Sequence, residues 1–189
     1  RVHPKLDAPV QPIDGVTVIR GIELRVDAGE QRLDLLGYGL AVTDRIESVT
    51  SRIQRNRKQR GAEIVARVED RLGVDLDIEL REGIGRPNIA RAIEASDAPY
   101  DFDAAFEELI GNGRPCYVER YVPSFSVGAE VLRESCAVVA LAHPFRYPDP
   151  ESALERAREL DAVERFYPYS GSSAQKEERE LLDDVAADA

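Results

Sequence analysis

The hydrophobic period changes twice along this chain, and no other feature narrows its fold as much. Residues 16–20 (VTVIR), running into 21–24, and residues 33–38 (LDLLGY) are short apolar runs on either side of a glycine-containing turn at 27–30. Runs of that kind predict buried strands. From Asp44 the spacing becomes helical: Ile46, Val49 and Ile53, then after Gly61 Ile64, Val65, Val68 and Leu72, with Gly73 as a stop. Asp44 and Glu47 are spaced as a capping box. Helices are also predicted over 87–95 and 103–110. Strand character returns at 137–141 and 162–167, with helices expected over 126–135, 150–160 and 172–186. From residue 126 on, the order helix–strand–helix–strand–helix predicts parallel strands joined by crossovers, and the chain reads as an α/β class whose functional loops follow the strands. The chain thus divides into strand-bearing ends, 1–43 and 121–189, around a mainly helical insertion, 44–120.

Composition bounds the function. A net charge of −11 argues against a nucleic-acid clamp, which needs a basic face. Only Lys5, Lys58 and Lys176 are lysines; the other basic residues are arginines. Two readings fit that bias: a surface adapted to high salt, as in a halophile, or a GC-rich genome favouring arginine codons. The two cysteines, Cys116 and Cys136, outline neither a disulfide framework nor a zinc ribbon. Nothing in the sequence is apolar for long enough to span a membrane. A cytoplasmic chain with no membrane contact and no stable protein partner is the expectation. The sequence contains no Met, so Arg1 reads as the product of processing or as the start of a segment.

Three residues at or near strand ends carry candidate chemistry. Glu23 follows the first apolar run, Asp34 lies in the second, and His143 closes 137–142 directly before Pro144. A neutral imidazole held by a proline-stiffened turn suits a metal ion, as do carboxylates. Taken singly, each also fits a structural role: the His as a strand cap, the acids as solvated loop residues.

Taken in order, these residues carry a resemblance. Gly21-Ile22-Glu23-Leu24, Asp34-Leu35-Leu36-Gly37-Tyr38-Gly39, Gly85-Arg86-Pro87-Asn88-Ile89-Ala90 and Leu141-Ala142-His143-Pro144 resemble the PHP (polymerase and histidinol phosphatase) family. The likeness is to its small branch of metal-dependent phosphoesterases acting on nucleotides and short RNA. It extends through Ala105-Phe106 and Gly113-Arg114-Pro115-Cys116-Tyr117-Val118, and spans about residues 16–169. It implies a distorted (β/α)7 TIM-like barrel with metals at its mouth and the helical insertion as a substrate cap. The implied activity is hydrolysis of a phosphoester of a nucleotide or short nucleic acid. Divalent ions (Mn²⁺, Zn²⁺, Fe²⁺ or Mg²⁺) would neutralise phosphate and activate a water.

Residue by residue, Glu23 falls on a metal-ligating Glu of the family and His143 on its "AHP" ligand, both placed at the catalytic centre. Asp34 falls where the pattern has a ligating His, which implies either a more oxygen-rich site or a weakened one. Asn88 stands for a frequent His, and Tyr169 does likewise; with Arg86, whose planar fork suits phosphate, these are the expected substrate contacts. His3 reads as a loop residue. The family's "HxH", "SDG", "TDHD" and "GSDxHG" ligand motifs are not in this sequence, so the barrel is expected to be incomplete, lacking both ends of its active site. The alternative is a non-catalytic PHP-like binding or regulatory domain with a degraded metal site. Arg52, Arg55, Arg57, Lys58 and Arg60 form a basic run, read either as a solvated helix face or as a guide for a polyphosphate tail.

Overall fold

Two tight turns decide how the strands of the N-terminal region pair. In the computed structural model, which describes residues 6–168 and Leu182, strands β1 (Val10–Ile13) and β2 (Val16–Ile19) form a separate antiparallel hairpin. Its two-residue turn is Asp14-Gly15, both at positive φ (50° and 81°). This is the pairing that an Asp-Gly step between apolar residues favours. The run read from sequence as continuous over 16–24 therefore breaks at Arg20. Strand β3 (Gly21–Asp27) then pairs antiparallel with β4 (Arg32–Tyr38) around a second turn. There Gly29, at φ 97°, donates its N–H to Asp27 Oδ1 at 2.9 Å.

That turn makes the β3–β4 pair antiparallel. Only residues 28–31 separate the paired Asp27 and Arg32, and a crossover needs a dozen residues or more. Strand β5 (Val138–Leu141) also runs antiparallel to β4. The parallel pairing expected of the C-terminal strands is found between β5 and β6 (Ala162–Val163), with residues 142–161 as the crossover. The sheets are β1-β2 and β3-β4-β5-β6, a mixed α/β arrangement; among the described residues they do not close into a barrel.

The chain forms two compact units, residues 1–47 with 122–189, and residues 48–121. Helix α1 (Asp44–Leu72) starts in the first and continues into the second. Its cap is Thr43, whose Oγ1 accepts the Ile46 N–H at 3.3 Å, rather than Asp44, which is already the first helical residue. Gly61 does not break the helix. A Cβ there would come within 2.8 Å of Ile84 Cγ2, so the position is glycine because a loop residue packs against it. Helix α2 (Arg86–Glu94) and helix α3 (Phe102–Ala104), which runs on as a π-helical turn at Ala105–Ile110, complete the helical unit. Ile64, Val68, Ile89, Ile93, Leu109 and Ile110 form its buried core.

In the other unit, α4 (Phe125–Ser135) packs on the sheet over Leu24, Val26, Leu33 and Leu35. Gly128 of α4 lies so close to β3 that an added Cβ would overlap the Val26 side chain. Helix α5 (Pro150–Ala157) is capped by Asp149 Oδ1, which accepts the Ser152 N–H at 3.0 Å. The helix expected over 172–186, together with His3 and Tyr169, lies outside the described residues.

Candidate metal centre

Strand alternation sorts the β3–β4 hairpin into two faces. Leu24, Val26, Leu33 and Leu35 pair across the ladder and are buried beneath α4. The opposite face brings together Glu23, Arg25 and Asp34, with Arg25 directly opposite Asp34. Main-chain pairing then carries β5 up to this face: Ala142 N–H donates to Asp34 O at 2.9 Å. The next residue is His143. Three residues far apart in sequence thus converge because one hairpin register and one strand end fix them.

His143 Nε2 lies 3.5 Å from Asp34 Oδ2 and 3.9 Å from Glu23 Oε1. One ligand atom from each of Glu23, Asp34 and His143 lies within 4.8 Å of the others. Side-chain exposure differs sharply across the trio, at 58% for Glu23, 3% for Asp34 and 12% for His143. Donors held by one ion at about 2.0–2.2 Å stand roughly 3–3.5 Å apart. The His143–Asp34 spacing already matches that, and exposed Glu23 has room to turn inward. The donor set, two carboxylates and an imidazole, fits a divalent ion of hard or borderline character.

The histidine is held from several sides. Its backbone sits at φ 28°, ψ 62°, on the left-handed side that non-glycine residues seldom adopt. Its N–H donates to Glu164 Oε2 at 2.7 Å, and Glu164 N–H in turn donates to Leu141 O at 2.8 Å. The Tyr147 and Tyr167 rings flank the imidazole at 5.4 and 5.3 Å between centroids. Among the described residues, Nδ1 is buried without a hydrogen-bond partner, so the ring addresses the cluster through Nε2. Tyr147 also accepts the Asp34 N–H on its hydroxyl at 2.8 Å. Burial pushes the Tyr147 phenol far above its usual range, which keeps it neutral beside the acid.

Arg25 is the residue that reading the sequence missed. Its Nε donates to Asp34 Oδ1 at 2.6 Å and its Nη2 donates to Oδ2. That hydrogen bonding raises the Arg25 pKa further above its already high value, so the guanidinium stays charged at any working pH. The signal lay in the hairpin, since closing the turn at residues 28–31 makes Arg25 and Asp34 direct partners. Tyr147 and Glu164 carried no signal, because only the folded strand ends bring them to the histidine.

The expected substrate residues within the helical unit serve the start of α2. Arg86 Nη1 donates to Asn112 Oδ1 at 2.9 Å and to Ile110 O at 3.2 Å. Its guanidinium carbon lies 5.7 Å from the Phe106 ring centroid and 5.5 Å from that of Tyr117. Asn88 Oδ1 accepts the Gly85 N–H at 3.1 Å, closing the first helical turn. In the basic run, Arg52 lies 3.9 Å over the Tyr121 ring and Arg60 Nε donates to Val118 O at 2.5 Å. Among the described residues no helix is long and apolar enough to cross a membrane.

No family model and no curated protein matches the chain. Solved structures do. An amidohydrolase from Chromobacterium violaceum, determined with bound sulfate and no metal, superposes with a TM-score of 0.64 at 21% identity. A protein from Bifidobacterium adolescentis described as a metal-dependent phosphoesterase superposes with a TM-score of 0.63 at 22% identity. Each match covers 88% of this chain, but only 63% and 62% of the respective neighbours. The chain spans less than two thirds of either and shares with both the fold over that span.

Proposed function

We propose that this chain is part of a PHP-type metal-dependent phosphoesterase, its sheet an open portion of a distorted (β/α)7 barrel. The observation that carries the reading is the convergence of Glu23, Asp34 and His143, the same three residues that the family resemblance marks, within 4.8 Å. Glu23, Asp34 and His143 would hold the ion. Once bound, a divalent ion there supplies Lewis-acid charge for a phosphoryl oxygen and activates water for attack at phosphorus. The chain's own residues prepare the site. Glu164 and the strained backbone fix the direction of His143, the two tyrosines shield its faces from water, and Tyr147 anchors the Asp34 main chain. A nucleotide or short nucleic-acid phosphoester is the substrate class we favour, with Arg86, Asn88 and Tyr169 as candidate contacts and residues 44–120 in a substrate-holding role. The acidic, lysine-poor composition fits solubility in high salt.

One observation favours a second reading, a non-catalytic binding domain with a degraded metal site: Arg25 occupies both oxygens of Asp34. Hydrolysis of an aryl phosphate with added Mn²⁺ separates the two. The enzyme reading expects metal-dependent turnover that falls to background in His143→Ala and Glu23→Gln. Turnover that is absent, or unchanged in both variants, leaves the binding-domain reading.

A further inference from the structure

Arg25 and Asp34 face each other directly across the β3–β4 ladder, and the turn-fixed register keeps them paired. The planar guanidinium covers both carboxylate oxygens, the geometry in which arginine grips an acid most firmly. The two partners differ in freedom. The Asp34 side chain is 3% exposed and that of Arg25 is 48% exposed, so the acid is fixed while the guanidinium has solvent to move into. Asp34 Oδ2, which accepts from Arg25, is also the oxygen nearest His143 Nε2. A divalent ion shared by His143 and Asp34 meets the guanidinium on that oxygen and binds against the repulsion of a nearby positive charge.

From this we infer that Arg25 is a cation built into the cluster, competing with a divalent ion for Asp34 and setting how tightly the site accepts one. The inference rests on the metal reading of the Glu23–Asp34–His143 cluster. With Arg25 in place, one monocation offsets the two carboxylates, and Glu23 and His143 are the donors open to an ion. Without it, all three donors are open and a buried carboxylate is left uncompensated, a state that strongly favours uptake of another cation.

The test uses the 189-residue chain, Mn²⁺ alone as probe, and two readouts: titration calorimetry, and thermal unfolding with and without the ion. Arg25→Gln should bind Mn²⁺ at least about ten-fold more tightly than the parent chain, the scale on which partners of metal ligands tune affinity. Its Tm should be lower than the parent's without Mn²⁺ and rise further when the ion is added. Adding Asp34→Asn to Arg25→Gln should abolish the gain. Arg25→Lys keeps the charge without the fork and should fall between the parent and Arg25→Gln; it carries the measurement if Arg25→Gln does not fold without the ion. Equal Mn²⁺ affinity in the parent and the Arg25 variants overturns the inference and leaves the metal reading standing. So does a gain that survives Asp34→Asn, since the competition would then not be for Asp34. No binding by any of these proteins at millimolar Mn²⁺ overturns the metal reading itself.

Discussion

In the helical unit, arginines lie against rings and main-chain carbonyls. Arg52 stacks on Tyr121, Arg91 lies 5.8 Å from the Phe102 ring centroid, Arg60 Nε donates to Val118 O at 2.5 Å, and Arg86 bonds Ile110 O and Asn112. On the β3–β4 face, Arg25 instead grips a carboxylate that is almost wholly buried. The same side chain is therefore used in two ways. Against rings and carbonyls it contributes packing area and neutral-acceptor hydrogen bonds, which salt screens little. Against Asp34 it neutralises a charge that the fold has taken out of water, and any other cation reaching that acid will disturb it. The helical unit thus stands on an apolar core fastened by arginines, whereas the sheet face carries an electrostatic balance open to ions.

Removing core from the helical unit should have the largest effect. Ile93→Ala, at a fully buried position, should lower unfolding free energy by about 2–5 kcal/mol in urea titrations. A loss below 1 kcal/mol would show that the arginines, not the core, hold this unit. A smaller effect is expected for Arg86→Met, which keeps the stem over the rings but loses the bonds to Ile110 O and Asn112. It should cost about 1–2 kcal/mol, undiminished in molar salt; a cost that vanishes with salt would break the distinction between the two uses of arginine. Smallest is a chemical contrast between the units. Burial pushes both thiols above their usual range, and Arg71 and Arg67 pull Cys116 part of the way back. A raised thiol pKa leaves less thiolate at neutral pH, so native alkylation should be slow and should quicken as pH rises. Cys136, the less buried, should label before Cys116, as mass spectrometry would record.

Much of the candidate cluster was legible in the sequence and part of it was not, for a physical reason. Glu23, Asp34 and His143 could be singled out because strand ends and metal-binding side chains leave marks on the chain itself. Arg25 could not be, because its meaning lies in a pairing register rather than in its own position. The crossover expected between 137–141 and 162–167 is present as the parallel β5–β6 pair, whereas residues 28–31 are too few for one, and counting them gives both the antiparallel hairpin and the Arg25–Asp34 pair. Among the described residues, helix positions followed from periodicity, since a 3.6-residue repeat is local. The cap did not, because Thr43 and Asp44 are both good caps and only the backbone path decides between them. Arg86 shows a related limit. A fork-shaped donor at a helix start suits a phosphate and equally suits a carbonyl of the same fold, such as Ile110 O, so residue type alone does not choose between them.

The backbone of His143, turned to positive φ at the end of β5, also governs how this position can drift. Glycine, asparagine and aspartate adopt such a conformation cheaply, whereas most other side chains add a steric cost to the loss of the ring. Of these three, asparagine and aspartate are each reached from a histidine codon by one base change, and both carry a side-chain oxygen. Loss of the imidazole here need not empty the cluster: the easiest mutational exits from histidine exchange a nitrogen donor for an oxygen one.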